Sequence, residues 1–353
     1  MNLIHHSRKE LKALMADWGE PSFRADQIFD WIWNKSVFDF DQMLNLSKDF
    51  RERLKLEASI TPPKVIFTQN SDDGTIKYLI QLEDGKTVES VWIPREDQGR
   101  VTVCISTQVG CRMGCTFCLT AQQKTERNLS SGEIAAQLLL LPNRDKITNV
   151  VVMGMGEPFD NYDKLMGALE TITDPKALRI GKSHVTVSTS GLLPAIEKFV
   201  QETSCRLAIS LNAPNNELRT QVMPINKAYP LEKLIALCKK IASPDFPRKQ
   251  RRDFGITFEY ILMKDFNDSE AHALELVKLV RGVPCKINLL QYNETPNTPF
   301  KRPSEEDVFK FQKVLRRYGL LNFLRKSRGR DISAACGQLA SEKKRQDISH
   351  ARL

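Results

Sequence analysis

The sequence predicts an α/β fold: a partial (β/α)6 TIM-like barrel preceded by a small N-terminal helical domain and a β-hairpin extension. Two observations carry this. From residue 101 onward, an apolar β-rich run is followed by a helical pattern six times. Before that point the hydrophobic period changes from helical to alternating at Thr61-Pro62-Pro63. The 353 residues are 41% hydrophobic and 27% charged, enough apolar material for one large core with accessory parts. The expected divisions are 1–62 (helical), 63–99 (hairpins), 100–325 (barrel) and 326–353 (C-terminal segment).

Ser7 and Glu10 form a capping-box pattern ahead of the Leu11, Leu14, Met15 face, and Pro21 ends that helix. Phe23, Ile28, Phe29, Ile32 and Trp33 make a second helical stripe, and Met43, Leu44, Phe50 and Leu54 a third. Helical spacing assigns these aromatics to packing. Val65-Ile66-Phe67, Ile76 to Leu82 and Thr87 to Ile93 then read as strands, with turns at Asp73-Gly74 and Asp84-Gly85. In the third strand Glu89 falls by alternation on the side of Val91 and Ile93. If that side faces inward, the carboxylate is buried, its pKa rises, and it suits proton transfer near neutral pH. If it faces outward, it is an ordinary solvated glutamate.

The barrel strands are expected at 101–106, 147–153, 184–189, 205–211, 255–262 and 285–291. Their helices follow at about 131–141, 161–173, 193–202, 231–242, 269–281 and 305–318. In such folds the site lies at the C-terminal ends of the strands. That rule gathers the loop of Cys111, Gly154-Met-Gly156-Glu157-Pro158, Ser188 to Gly191, Ser210-Leu211-Asn212 and Gln291-Tyr-Asn293 around one mouth. Glycines 154 and 156 admit close backbone approach. Glu157 can accept from an ammonium, and Ser188, Ser210 and Asn293 offer neutral hydrogen bonds.

Three of the eight cysteines, Cys111, Cys115 and Cys118, follow the first barrel strand with the spacing Cys-x3-Cys-x2-Cys. Three thiolates on one loop can hold three corners of an iron–sulfur cube, which leaves the fourth iron open to chelate a small molecule. Structural zinc usually takes four ligands, and no second Cys or His pair follows. Cys205, Cys238 and Cys285 read as small core residues. Cys336 lies between Ala334-Ala335 and Gly337, on a loop suited to close approach, with a fourth cluster ligand as the competing reading. Cys104, within the first strand, is its natural companion.

Lysine and arginine total 52 against 43 acidic residues, a net charge of +9, which favours a polyanionic partner such as RNA or DNA. Basic residues concentrate at Arg248-Lys-Gln-Arg-Arg252, at Lys326, Arg328 and Arg330, and at Lys343-Lys344-Arg345 in a polar tail. No apolar run reaches membrane-spanning length and the first residues lack a signal peptide's apolar stretch. The expectation is a cytoplasmic protein with no membrane partner, its clustered cysteines kept reduced.

The cysteine spacing, with Phe117 before the last cysteine, resembles the signature of radical S-adenosylmethionine enzymes. Ser106-Thr-Gln-Val-Gly-Cys111, Thr120-Ala-Gln-Gln123, Gly154-Met-Gly-Glu-Pro158, Met223-Pro-Ile-Asn-Lys227, Pro284-Cys-Lys-Ile-Asn-Leu289 and Ala334-Ala-Cys-Gly-Gln-Leu339 narrow it. Together they resemble the RlmN family of bacterial dual-specificity methyltransferases, which act on adenine C2 in 23S rRNA and tRNA. The resemblance implies a radical S-adenosylmethionine barrel in which Cys111, Cys115 and Cys118 hold a [4Fe-4S] cluster. S-adenosyl-L-methionine would be held by Gly156, Glu157, Ser188, Ser210, Leu211, Asn212 and Asn293. It further implies that Cys336 is methylated by one cofactor molecule and converted to a methylene-bearing radical by a second. Glu89 would remove the C2 proton, and Cys104 would attack Cys336 to release product, leaving a disulfide. An external electron donor, flavodoxin or thioredoxin-like, and a monomeric state follow from the same likeness. The family usually carries histidine at the position of Asn212, and Glu294-Thr-Pro-Asn-Thr298 departs from the usual Pro and Gly residues. The alternatives are a Cfr-type adenine C8 methyltransferase and a non-catalytic iron–sulfur or zinc RNA-binding module.

Overall fold

A computed structural model describes residues 1–123, 125–249, 255–295 and 298–340. Helices α1 (Arg8–Asp17), α2 (Phe23–Trp33) and α3 (Lys48–Glu57) form the N-terminal module. The capping box read from the sequence closes α1: Glu10 N donates to Ser7 Oγ at 3.2 Å, and Ser7 N donates to the Glu10 carboxylate at 2.6 Å. Next come strands β1 (Lys64–Asn70), β2 (Ile76–Gln81), β3 (Thr87–Arg95) and β4 (Arg100–Ile105). Gly74 and Gly85, both at φ +81°, turn the hairpins.

After β4 the chain makes a two-residue strand β5 (Gln108–Val109), a short helix α4 (Leu119–Gln122) and β6 (Arg127–Asn128). Then follow α5 (Ser131–Leu139), β7 (Asn149–Val152), α6 (Tyr162–Thr173), β8 (Val185–Thr189), α7 (Leu193–Glu202) and β9 (Arg206–Ser210). The rest is α8 (Asn216–Val222), α9 (Leu231–Ala242), β10 (Ile256–Leu262), α10 (Glu270–Leu279), β11 (Cys285–Gln291), α11 (Glu305–Arg317) and β12 (Asn322–Arg325).

Ten strands form one sheet in the order β1-β2-β3-β4-β7-β8-β9-β10-β11-β12. From β4 to β12 all neighbours are parallel, so six crossovers build an open, partial barrel. The hairpins extend the same sheet, because β3 pairs antiparallel with β4. All six expected βα units are present. The sequence reading missed the seventh parallel strand, β12. It lacks β-branched residues, and its Phe323 and Leu324 stay exposed, so it carries no apolar alternation to detect.

Outward-facing Val103, Ile105, Val150, Val152, Val185 and Val187 pack under the helices. Helix α5 sits between sheet and N-terminal module with every residue buried. A Cβ on Gly132 would fall 1.4 Å from the Ile4 carbonyl oxygen, so only glycine lets the module's first turn lie on α5. Among the described residues no helix is long and apolar enough to cross a membrane. Residues 250–252 of the first basic run and the Lys343-Lys344-Arg345 run lie outside the described residues.

Candidate active site

Cys111, Cys115 and Cys118 lie beyond the C-terminal end of β4 and line one cavity with Cys104, Cys336, Glu157, Ser188 and Ser210. Gly110 (φ +81°) and Gly114 (φ +68°) curl the loop inward. Its far side is fastened to α8: Thr116 N donates to the Val222 carbonyl at 3.1 Å. Phe117 packs with Val222, Met223, Met263 and Tyr292, and Cys115 and Cys118 rest against that apolar group.

Burial pushes the Cys111 thiol up to about 12 and raises Cys115 and Cys118 as well. The negative charge of Cys118 adds to the shift at Cys111, and those of Cys118 and Cys111 to the shift at Cys115. Without a cation among them the three are neutral thiols; bound iron would ionise them. Among the described residues no three His, Cys, Asp or Glu side chains converge as they would on a single ion. A cube takes one thiolate per iron and needs no such convergence, so the donor set fits a [4Fe-4S] cluster better than zinc.

Beside the thiols is a cradle of backbone. A Cβ on Gly154 would meet the Ile105 carbonyl oxygen at 2.7 Å, and one on Gly156 (φ +98°) would meet Gln108 Cβ at 2.6 Å. Glu157 follows, and its carboxylate bridges two strand ends, accepting from Phe159 N at 3.1 Å and from Ser190 N at 2.8 Å. Burial raises its pKa, and those donors oppose the rise. The Ser190 hydroxyl is buried beside that carboxylate and is one of the groups that hold its pKa down. A buried carboxylate with a hydroxyl beside it, on the wall of the thiol-lined cavity, fits the ammonium end of a zwitterion such as S-adenosylmethionine.

The remaining residues expected at the cofactor are placed differently from one another. Ser188, Ser210 and Asn212 line the cavity. The Asn212 amide is already engaged, accepting from Ile261 N at 3.0 Å and donating to Met223 Sδ at 3.4 Å, with φ at +56°. Leu211 is fully buried; its N–H donates to the Glu259 carbonyl at 2.9 Å and its carbonyl accepts from Arg219 at 3.2 Å. Asn293 donates to the Cys336 carbonyl at 3.3 Å, so it holds the Cys336 loop.

That loop is stitched over the cavity. Leu119 N donates to the Gly337 carbonyl at 2.8 Å and Thr120 Oγ1 to the Leu339 carbonyl at 2.6 Å. Cys336 has surface open to the cavity, yet protein surrounds it closely enough that burial raises its thiol pKa. Cys104 is buried and pushed up to about 12, first by burial and then by the neighbouring Cys336 charge. All eight cysteines are free, Cys104 and Cys336 included. Cys205 and Cys238 are core residues as expected, and Cys285 is half-buried.

Glu89 faces inward: Leu79 stands opposite Glu89, and Val91 opposite Cys104, on one side of the sheet. Its carboxylate is 2% exposed and is held from both ends of the Cys336 loop. Ala340 N donates to Oε2 at 2.9 Å. On the other oxygen, Lys77 Nζ lies 3.2 Å away and also reaches the Ser333 carbonyl at 3.4 Å.

Sequence reasoning missed Lys77, Arg325, Ser190 and Arg219. Lys77 was legible by counting back from the Asp84-Gly85 turn, which pairs Gln81 with Thr87 and so puts Lys77 opposite Val91. Arg325 sits on the undetected strand β12, close enough that both Cys104 and Cys336 thiolates favour its charge. Arg219 is fully buried and donates to the carbonyls of Ser190, Ser210 and Leu211, tying two strand ends together. Nothing in its local sequence sets it apart from a surface helix arginine.

Residues 1–60 match the family model described as the ribosomal RNA large subunit methyltransferase N-terminal domain, and residues 105–277 that of the radical SAM superfamily. The chain is 45% identical to a probable dual-specificity RNA methyltransferase RlmN of Bacillus cereus, covering 94% of this chain and 92% of the relative. It is 43% identical to the dual-specificity RNA methyltransferase RlmN of Syntrophus aciditrophicus, covering 97% of each. A crystal structure of a radical SAM methyltransferase from Sphaerobacter thermophilus superposes with a TM-score of 0.87 at 40% identity, over 97% of this chain and 99% of that one.

Proposed function

The chain belongs to the RlmN family of dual-specificity RNA methyltransferases, and we propose that it methylates adenine C2 in 23S rRNA and tRNA, carrying the new methyl on Cys336. The observation that supports this best is the meeting of Cys336 with the thiol-lined cavity on one side and Cys104 and the Glu89 clamp on the other. When bound, the family's [4Fe-4S] cluster and S-adenosylmethionine supply the methyl group and the one-electron chemistry that an unactivated ring carbon demands.

The chain's own residues divide the remaining work. Cys111, Cys115 and Cys118 hold the cluster. Glu157 and Ser190 bind the polar end of the cofactor, Gly154 and Gly156 let their loop seat against Ile105 and Gln108 beside it, and Ser188 and Ser210 hydrogen-bond to it. Arg219 keeps the carbonyls around that pocket in place. Cys336 accepts the methyl on sulfur and presents the carbon to adenine C2. Glu89, its carboxylate 3.2 Å from Lys77 Nζ, takes the proton from C2. Cys104 then attacks the Cys336 sulfur, forming the S–S bond as the C–S bond breaks; its electron pair stays with the product carbon, which takes a proton from solvent to become the methyl group. Arg325 favours the thiolate needed for that attack. An external dithiol, thioredoxin-like, reopens the disulfide, and a flavodoxin-like donor supplies electrons to the cluster. The enzyme acts as a monomer, with residues 1–62 aiding RNA binding.

Product analysis tests the reading. Reconstituted, reduced protein is given labelled S-adenosylmethionine with unmodified 23S rRNA or tRNA, and the digested nucleosides are identified. 2-Methyladenosine from both is expected. 8-Methyladenosine would assign the chain the C8 chemistry, and an absence of label in either RNA would overturn the reading.

A further inference from the structure

The inside of a closed (β/α) barrel is normally filled by layers of branched apolar side chains. Here the half nearest the strand N-termini is not. Inward-facing Thr102, Asn149, Thr186, Thr257 and Asn288 line an open cleft of about 1380 Å³. That exceeds the roughly 300–1,000 Å³ typical of small-molecule sites. The cleft meets the thiol-lined cavity at Cys336, which lines both, along with Val151, Met153 and Leu290. The cofactor's residues occupy the C-terminal half, so the polar half is the open approach to Cys336 from the other side.

Acidic side chains of the cleft gather on its hairpin side, at Asp72, Asp73, Glu96 and Asp97, while the facing barrel strands are cationic. Arg206 at the start of β9 and Lys286 on β11 have no acidic partner within salt-bridge distance among the described residues. Burial lowers the Lys286 pKa and the like charges of Arg206 and Arg325 lower it further, with Glu259 opposing them. Glu259, the acidic side chain among these strands, is already shared between Asn288 at 2.8 Å and Arg325 at 3.4 Å. Facing like charges in a half-buried cleft call for an anion.

We propose that RNA reaches Cys336 through this N-terminal half of the barrel, opposite the cofactor, with Arg206 and Lys286 binding phosphates that flank the inserted adenosine. A flipped base in a single-stranded loop fits such a path, since the backbone stays at the cationic rim while the base goes inward. This rests on the RNA-methyltransferase reading above.

The test is binding of a fluorescent RNA hairpin with an adenosine in its loop, measured by anisotropy across a salt series. Arg206→Glu/Lys286→Glu is compared with Lys233→Glu/Lys239→Glu on the exposed outer face of α9. The cleft pair should weaken binding at least about tenfold and flatten the slope of log K against log salt by roughly 0.7 per lost phosphate contact. Arg206→Gln/Lys286→Met guards against misfolding; it should flatten the slope while keeping or raising Tm, because it removes repulsion. Unchanged affinity and slope, or an equal loss in the α9 pair, would overturn the proposal. Failure of the C2 reading shows separately, as a wild-type RNA product other than 2-methyladenosine, and leaves the binding result standing.

Discussion

Lys77 and Glu89 are diagonal neighbours on the inner face of β2 and β3, and their ion pair is 4% and 2% exposed. Removing one partner strands a buried charge, which costs about 3–5 kcal/mol, whereas replacing both by apolar groups is often neutral. Lys77→Met should therefore lower unfolding free energy in urea by about that amount. The double variant Lys77→Met/Glu89→Leu should recover most of the stability and none of the RNA methylation. Full stability in the single variant would show that the pair carries no such strain. The Cys104 thiol makes a second prediction. Its pKa is raised to about 12, so it stays protonated at neutral pH, and its thiolate fraction grows about tenfold per pH unit up to that value. Alkylation of Cys104 by iodoacetamide, followed by peptide mass spectrometry, should keep climbing from pH 7 to 10. A plateau near pH 9, where an ordinary thiol is already ionised, would contradict the shift.

The elements set where sequence reading succeeds. A capping box, Asp-Gly turns and period changes are local signals, and the local elements they announce formed as expected: α1, both hairpins and the six βα units. The cysteine loop was legible for the same reason, because its spacing is short. What escaped depends on pairing across the sheet. Lys77 meets Glu89 only through hairpin register, Arg325 arrives on a strand without β-branched residues, and Arg219 matters only for which carbonyls it meets. Asn212 shows the converse: the side chain at an expected contact position is spent on Ile261 N and Met223 Sδ. The close contact of α5 with the first turn gives an element-scale test. Gly132→Ala puts a Cβ 1.4 Å from the Ile4 carbonyl oxygen, and backbone there cannot yield cheaply. The variant should lose Tm and be cut faster by protease near Thr61-Pro62-Pro63, while its barrel circular dichroism persists. Unchanged proteolysis would mean the module does not depend on that seat.

At the scale of the molecule, α5 decides how many units unfold. A helix buried on every side needs cover on both faces. The sheet covers one: Gln137 of α5 accepts from Ser90 Oγ at 2.7 Å and from Ser106 N at 2.8 Å. The N-terminal module covers the other, with Leu3 and Ile4 fully buried in the same core cluster as Ile134 and Leu138. Polar ties reinforce the seam: Arg8 with Asp174 at 2.9 Å, Lys164 with Glu10 at 2.8 Å, and Arg144 donating to the Asn34 carbonyl at 2.8 Å. The exposed members of that list contribute little each. The shared apolar core is therefore what couples module to barrel. Detaching the module would bare α5's outer face, so its unfolding and that of the barrel should be one event. Calorimetry of the full chain should show a single endotherm whose calorimetric and van't Hoff enthalpies agree. Two separable endotherms would make residues 1–60 an independently stable domain, and would move the role of α5 from shared core to simple barrel helix.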